Sequence, residues 1–175
     1  MAHLHSKDMT HGDLSLKNML VFREQVKVAD FGSAFWAKDF LLPERVAPLT
    51  TGYARSPEAW LLDLYGRPND AWGCGVCLLA LCTGALPFIG DRDARDPPLP
   101  QMIRLLGLPP AAFISEAGSK WERAWEQTEV ASGSFAARAG NLRSPTPLPP
   151  EDALLGLVEG LLRWQATSLP IPISI

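Results

Sequence analysis

Three side chains near the N-terminal end have the chemistry that transfer of a phosphoryl group requires. Asp13 and Asn18 lie in the segment 11–18, and Asp30 follows after a short apolar stretch. In such a reaction one carboxylate orients the attacking hydroxyl and accepts its proton. A second carboxylate and an amide oxygen are hard ligands that suit Mg²⁺. The residue types and their order therefore indicate a metal-assisted phosphoryl-transfer site.

A hairpin is predicted to bring these side chains together. Residues 19–22 are apolar and predict a short strand, residues 23–25 predict a polar turn, and residues 26–29 alternate as a second strand does. Residues 1–10 are typical of the end of a helix. Residues 30–58 mix Pro, Thr, Gly and Arg without a clear period, which predicts an extended loop.

The rest of the chain predicts a mainly α fold. Asp70 is expected to cap an apolar helix over 71–83, which ends at Gly84. Further helices are predicted at 101–106, 121–129 and 151–164, the last with apolar residues at helical spacing. Residues rich in Ser, Gly, Ala and Pro predict a linker at 131–150, and Pro residues predict a frayed tail at the end.

The composition is that of one soluble globular domain. The chain has 175 residues with 16 basic and 19 acidic side chains, a net charge of −3, and 47% apolar residues. The acidic balance argues against a nucleic-acid binder, and the apolar content argues against disorder throughout. The first ten residues predict no secretory signal. Three cysteines suit a reducing compartment, so we expect a cytoplasmic or nuclear protein.

The uncharged stretch 71–89 nearly reaches the length of a membrane span. It contains Gly73, Gly75, Gly84 and Pro87, and acidic residues lie close to both of its ends. A buried core helix is at least as good an interpretation, so no membrane span is expected.

The order of several motifs resembles the eukaryotic-type protein kinase family. The catalytic loop of that family, H-R-D-L-x-x-x-N, is matched in His11, Asp13, Leu14 and Asn18, and its D-F-G metal motif is matched in full at 30–32. Downstream resemblances are S-P-E at 56–58 to A-P-E, D-A-W-G-C-G at 70–75 to D-x-W-x-x-G, and T-G-A-L-P-F at 83–88 to T-G-x-x-P-F. Each motif alone is weak, but their common order is a strong signal.

The resemblance implies a role for each matching residue. Asp13 would be the catalytic base, and Asn18 and Asp30 would bind Mg²⁺ and, through it, ATP. Thr51 matches a Thr that hydrogen-bonds the catalytic loop near the substrate. In the metal motif, Phe31 would pack under the site and Gly32 would permit a backbone turn.

Several positions depart from the family pattern. Gly12 replaces an Arg that often receives an activating phosphate, and Ser15 replaces a Lys. Lys17 is predicted to take over the catalytic task of neutralising the transferred group. Leu169 occupies the position of an Arg expected to pair with Glu58.

The resemblance covers only the C-terminal lobe of a kinase, at residues 1–169, followed by a frayed tail at 170–175. The fold implied is therefore a kinase-like C-terminal lobe, mainly α within an α+β family fold, with the short hairpin at the catalytic loop. The N-terminal lobe, which holds most of ATP in the family, is absent. We therefore expect a piece of a longer protein, weak or inactive when isolated.

The function implied is transfer of the γ-phosphoryl group of ATP to a protein Ser or Thr hydroxyl, with Mg²⁺. Thr51 and Arg55 favour Ser/Thr over Tyr substrates, and Arg55 with residues 103–109 resembles the branch of cyclin-dependent and mitogen-activated kinases. One alternative is a small-molecule phosphotransferase, because H-G-D-x-x-x-x-N also resembles aminoglycoside and choline kinases. Another is a pseudokinase or interaction module, which Gly12, Ser15 and the absent lobe would suit.

Two metal sites were weighed and are not favoured. Cys74, Cys77 and Cys82 are too few for a structural zinc site, so buried thiols are predicted. His3 and His5 fit a helix end better than a transition-metal cluster.

Overall fold

The computed structural model describes residues 1–36, 51–89, 98–118, 121–142 and 152–164. Its helices are α1 Ala2–Ser6, α2 Pro57–Leu61, α3 Arg67–Thr83, α4 Leu99–Leu106, α5 Ala111–Ala117, α6 Glu122–Gln127, α7 Phe135–Gly140 and α8 Asp152–Leu161. Its strands are β1 Met9–Thr10, β2 Met19–Phe22, β3 Gln25–Val28 and β4 Phe35–Trp36. The mainly α class predicted from the sequence is confirmed.

Two antiparallel ribbons flank the segment that carries the candidate residues. In the first, β2 pairs with β3 from Met19 opposite Val28 to Phe22 opposite Gln25. The turn between them places Arg23 and Glu24 at positive φ, the backbone that tight hairpin turns require. In the second ribbon β1 pairs with β4. The predicted hairpin is confirmed, with its second strand one residue earlier than expected.

Helix α3 is longer than predicted and begins at Arg67 instead of residue 71. Its first turn is closed by Asn69, whose Oδ1 accepts a hydrogen bond from the Gly66 N–H. The prediction that Asp70 caps this helix is wrong, because Asp70 lies inside the first turn and its carboxylate binds elsewhere. The predicted end is confirmed, since Gly84 adopts φ 73° and donates its N–H to Ala80 at 2.8 Å.

The main core surrounds α3. Trp72 stacks on Phe88 with ring centroids 5.3 Å apart, and both side chains are buried. Residues of α4, α7 and α8 pack against the same cluster. Helix α8 approaches α3 at Gly75, where an added Cβ would lie 2.9 Å from Leu162 Cδ2. The absence of a side chain at Gly75 therefore sets how closely these two helices pack.

A second cluster joins α4, α5 and α6. Its buried members are Leu99, Ile103, Phe113 and Trp125. Trp164, just after α8, lies 5.3 Å from the Phe113 ring and so connects α8 to this cluster.

The predicted linker 131–150 contains helix α7, so that prediction is wrong for residues 135–140; residues 143–150 lie outside the described part. Ser134 caps the helix by accepting from the Ala137 N–H, and Phe135 and Ala139 are buried on one face. Helix α5 was not predicted either. Helix α7 consists mostly of small residues, so its sequence shows little of the apolar periodicity that predicts a helix.

The predicted loop 30–58 is partly ordered into regular elements. It contains β4, short turns of 3₁₀ helix at Phe31–Ser33 and Gly52–Ala54, and the start of α2, which Ser56 caps by accepting from the Ala59 N–H. Residues 37–50 of this loop lie outside the described residues, as do the tail 165–175 and Leu169. The division at residue 169 therefore stays a prediction.

No helix within the described residues has both the length and the apolar character needed to cross a bilayer. The longest, α3, has 17 residues.

Candidate active site

A buried carboxylate on α3 holds the backbone of the segment that carries Asp13. Asp70 Oδ2 accepts from the His11 N–H at 2.8 Å, and its Oδ1 accepts from the Gly12 N–H at 3.0 Å. His5 Nε2 lies 2.9 Å from Oδ2. A carboxylate exposed by only 1% requires such partners, because burial without them is costly. The sequence motif placed Asp70 at the start of the helix but did not reveal this anchoring role.

The structure brings Asp13, Asn18 and Thr51 together. Asp13 Oδ1 accepts from the Thr51 N–H at 2.6 Å, and Oδ2 accepts from Asn18 Nδ2 at 3.1 Å. The same Asn18 nitrogen donates to the Asp13 carbonyl at 2.8 Å. The contact with Thr51 is made by its backbone. Each carboxylate oxygen keeps a lone pair, so Asp13 is held in place and can still accept a proton.

Asp30 lies at the end of the hairpin next to Asn18. The Asn18 carbonyl accepts from the Ala29 N–H at 2.8 Å, which fixes the neighbouring Asp30 beside the catalytic segment. Asp30 is exposed, and its Oδ1 accepts from the Gly32 N–H at 3.2 Å. The positive φ of this turn, 61°, belongs to Asp30 and not to Gly32. A Cβ added at Gly32 would lie 3.2 Å from Asp30 Oδ1, so a side chain there would crowd that carboxylate.

The imidazole of His11 ties the catalytic segment to the metal motif. Its Nδ1 accepts from the Asp13 N–H at 3.3 Å, so Nε2 carries the proton and donates to the Ala29 carbonyl at 3.1 Å. The Phe31 ring meets His11 edge-on at 5.0 Å. Phe31 is half exposed, so it packs beside His11 without being enclosed.

Lys17 and Ser15, two positions that depart from the family pattern, differ in the exposure of their side chains. Lys17 is exposed in the turn Leu16–Asn18. Ser15 is fully buried, and its Oγ has no hydrogen-bond partner among the described residues. The positive charge at the surface of this turn is therefore that of Lys17, because Ser15 is buried and carries no charge. The catalytic role of Lys17 stays a prediction.

The chemistry of the donor set fits a hard divalent cation at Asn18 and Asp30. Because Nδ2 of Asn18 donates to Asp13, the atom that Asn18 can offer to a cation is its amide oxygen. Asp30 is an exposed carboxylate and directly follows Ala29, whose N–H donates to the Asn18 carbonyl. In the described parts of the chain, no group of three or more His, Cys, Asp or Glu residues could hold a metal.

The cysteines and an open groove lie apart from these residues. Burial raises the pKa of the Cys77 thiol to about 12, and Cys82 is also buried, whereas Cys74 is half-buried. A groove of about 400 Å³ is lined by the ends of α4, α7 and α8, including Arg138, and by none of the candidate site residues.

Comparison with known proteins identifies the family of this chain. The protein kinase domain family matches residues 1–167. The chain is 36% identical over 97 residues to a probable serine/threonine-protein kinase, HSL1, of Saccharomyces cerevisiae, covering 53% of the chain and 6% of the relative. It is 39% identical over 99 residues to a calcium/calmodulin-dependent protein kinase type II of Caenorhabditis elegans, covering 54% and 14%.

A probable serine/threonine-protein kinase of Dictyostelium discoideum is 37% identical over 97 residues, covering 54% of the chain and 11% of the relative. The chain thus spans only a small part of the length of each of these relatives. The family match, by contrast, extends over nearly all of the chain, from the segment that carries Asp13 to the end of α8. The chain belongs to the protein kinase domain family.

Proposed function

We propose that this chain is the C-terminal lobe of a protein serine/threonine kinase, which transfers the γ-phosphoryl group of ATP to a protein Ser or Thr hydroxyl. The observation that carries the proposal is the Asp13 carboxylate, held on one oxygen by Thr51 and on the other by Asn18. The names of the relatives supply the Ser/Thr class. The family match does not favour the small-molecule phosphotransferase alternative.

Asp13 acts as the base in this mechanism. Its two hydrogen bonds orient the carboxylate, and the remaining lone pairs accept a hydrogen bond from the substrate hydroxyl. Because the carboxylate is already oriented, it does not have to be ordered during the reaction. Such positioning, together with electrostatic stabilisation, is the main source of catalysis in phosphoryl transfer. Thr51 bonds directly to Asp13 through its backbone N–H, so it would lie near the hydroxyl that Asp13 accepts from.

Asn18 and Asp30 would hold Mg²⁺ through their oxygen atoms. When bound, Mg²⁺ supplies charge neutralisation on the phosphates of ATP. The amide of Asn18 serves two tasks, since its nitrogen orients Asp13 while its oxygen faces away from that bond. Lys17, exposed next to Asn18, would place a positive charge near the transferred group.

The β2–β3 hairpin is the proposed contact surface for a second lobe. Val21 and Val26 point to one face of the ribbon, Leu20 and Phe22 to the other, and all four are exposed. A two-stranded ribbon with apolar side chains on both faces is marginal alone and marks a contact surface. We therefore propose that an N-terminal lobe and ATP cover this hairpin in the whole protein.

Branch, partners and compartment remain predictions within this proposal. Arg55 packs over the Trp60 ring at 4.3 Å, but this contact does not identify the branch of cyclin-dependent and mitogen-activated kinases. The protein substrate, the contribution of a longer parent chain, and a cytoplasmic or nuclear location are likewise proposed from the resemblance alone.

Metal and nucleotide binding are tested on the chain itself with Asp30→Asn. We expect Mg-ATP at millimolar concentration to raise the melting temperature of the wild type, because a ligand of the folded state stabilises it. The shift should disappear in Asp30→Asn and persist in Asp63→Asn, a matched control that is also an exposed Asp at positive φ. No shift in the wild type would favour an interaction module over an enzyme.

Phosphoryl transfer is tested with labelled ATP and casein as a general acceptor, both for the chain and for the chain joined to a kinase N-terminal lobe. Asp13→Asn should reduce labelling at least about a hundredfold, the usual worth of a general base. Lys17→Ala should lower kcat, with Lys7→Ala as an exposed control outside the hairpin. Undiminished labelling by Asp13→Asn would refute the assigned base.

A further inference from the structure

Gly12 lies where the catalytic segment packs closely against the turn of the metal motif. It has φ +80°, and a Cβ added there would lie 2.5 Å from the Ser33 carbonyl oxygen and 3.2 Å from Phe35 Cε1. Carbon and oxygen atoms do not approach so closely, and the first obstacle is backbone, which no side-chain rotation can remove. Any side chain at position 12 therefore requires one of the two segments to move.

The catalytic segment is the one that is held. The Gly12 N–H donates to the buried Asp70 carboxylate at 3.0 Å, and His11 is bonded to the same group at 2.8 Å. Within the described part of the chain, no hydrogen bond joins the turn Phe31–Ser33 to α3. The turn is closed by the Asp30 carboxylate, which accepts from the Gly32 N–H. A side chain at position 12 would therefore displace the turn and, with it, Asp30.

Contacts made by the two residues before Gly12 show that the two segments lie along one another. Thr10 pairs with Phe35 in the β1–β4 ribbon, and the His11 ring meets the Phe31 ring. Gly12 lies between these contacts and the Asp13 carboxylate. At this point a Cβ on the segment of the base would meet the backbone of the turn that follows Asp30.

We propose that Gly12 is a positioning residue, which sets the spacing between the base Asp13 and the metal ligand Asp30. The spacing follows from the contacts alone, whereas its effect on Mg²⁺ rests on the proposed function. Restoring Arg, the residue of the family pattern at this position, would then weaken the site of this chain instead of improving it.

Substitutions at two glycines of positive φ distinguish the effect of the close contact at position 12 from the effect of backbone strain. Asn tolerates left-handed backbone better than Ala does, so Gly12→Asn retains the added Cβ with less strain. The matched control is Gly118→Asn, at φ +75° with no atom within 4 Å of an added Cβ. We expect Gly12→Asn and Gly12→Arg to speed amide exchange of residues 31–36 by roughly tenfold or more, and Gly118→Asn to leave it unchanged.

A measurement on the wild type covers the case in which a variant does not fold. An Hα of Gly12 takes the direction of the missing Cβ, so a nuclear Overhauser contact between Gly12 Hα and the Phe35 ring is expected. Absence of this contact, or equal exchange of residues 31–36 in Gly12→Asn and wild type, would overturn the proposal.

The functional consequence has a separate readout. Mn²⁺, used as a paramagnetic probe, should broaden the amides of Asn18 and Asp30 in the wild type at lower concentration than in Gly12→Arg, by about fivefold or more. If Mn²⁺ broadens neither residue in the wild type, the proposed function fails. The amide-exchange result would still show whether Gly12 sets the spacing between the two segments. Equal Mn²⁺ dependence in both proteins would refute the link from Gly12 to the metal ligand.

Discussion

The helical core around α3 and the β2–β3 hairpin are both rich in apolar residues, but only the core buries them. Val76 in α3 is 0% exposed, whereas Val21 and Val26 in the hairpin are 78% and 67% exposed. The residue type is the same, so the difference arises from what lies opposite. Helices α4, α7 and α8 cover α3, and no described element covers the hairpin to a similar extent.

The candidate site lies at the border between these two regions. Asp70 reaches from α3 and holds the backbone beside Asp13, while Asn18 and Asp30 lie at the base of the hairpin. The buried region supplies the rigidity and the exposed region supplies access, an arrangement that suits a site completed by a further partner.

The largest expected effect is in the core. Trp72→Ala removes a fully buried ring stacked on Phe88 and should cost about 3–5 kcal/mol of unfolding free energy. Phe22→Ala, at a ring of the hairpin that is 55% exposed, should cost less than about 1 kcal/mol. Urea denaturation of both variants measures the difference. Similar losses would mean that the two regions do not differ as the burial indicates.

The second largest effect on stability is expected at Asp70, which connects the core to the segment beside the hairpin. Asp70→Ala leaves the N–H groups of His11 and Gly12 buried without their acceptor, so we expect a loss of about 2–4 kcal/mol. Glu126→Ala, at an exposed acid of α6, is the control and should stay within about 0.5 kcal/mol. Faster amide exchange at both donors should accompany the loss. A change no greater than that of the control would contradict the anchoring role.

A pH effect of about 1 kcal/mol is expected from Cys77, on the buried side of the comparison. Burial raises the pKa of its thiol from 9.0 to about 12. Above pH 9 the unfolded chain releases a proton that the folded chain retains, so stability falls as the pH rises between these values.

Denaturation at pH 8 and pH 10 measures this loss, and Cys77→Ala should reduce it. Val76→Ala, a change at a buried side chain of the same helix that carries no titratable group, is the matched control. An equal loss in the wild type and in Cys77→Ala would show that the thiol is not responsible.

The smallest effect is expected in the hairpin. Val21→Thr replaces a methyl by a hydroxyl in solvent and should change stability by less than about 0.5 kcal/mol. Val76→Thr makes the same replacement in the core, where the hydroxyl lacks water, and should cost about 1–3 kcal/mol. A large cost at Val21, measured by urea denaturation, would show that the hairpin face is already covered in the chain.

The sequence predicted the elements whose signals are local. The hairpin follows from its alternating strands and polar turn, and the end of α3 follows from Gly84, because each depends on neighbours in the chain. Helix α7 was missed because its short helical run of small residues carries little periodicity. The start of α3 was misplaced because Asp70 has the residue type of a cap but is used over a long distance.

The sequence by itself determined which chemical groups are present and in what order, including two acids, an amide and a glycine at the site. Only the tertiary structure decided that Asp70 binds Gly12, that Thr51 binds Asp13 by its backbone, and that Gly12 meets Ser33. These pairs are distant in the chain. Their contacts depend on how packed elements meet, and composition and periodicity do not encode those distances.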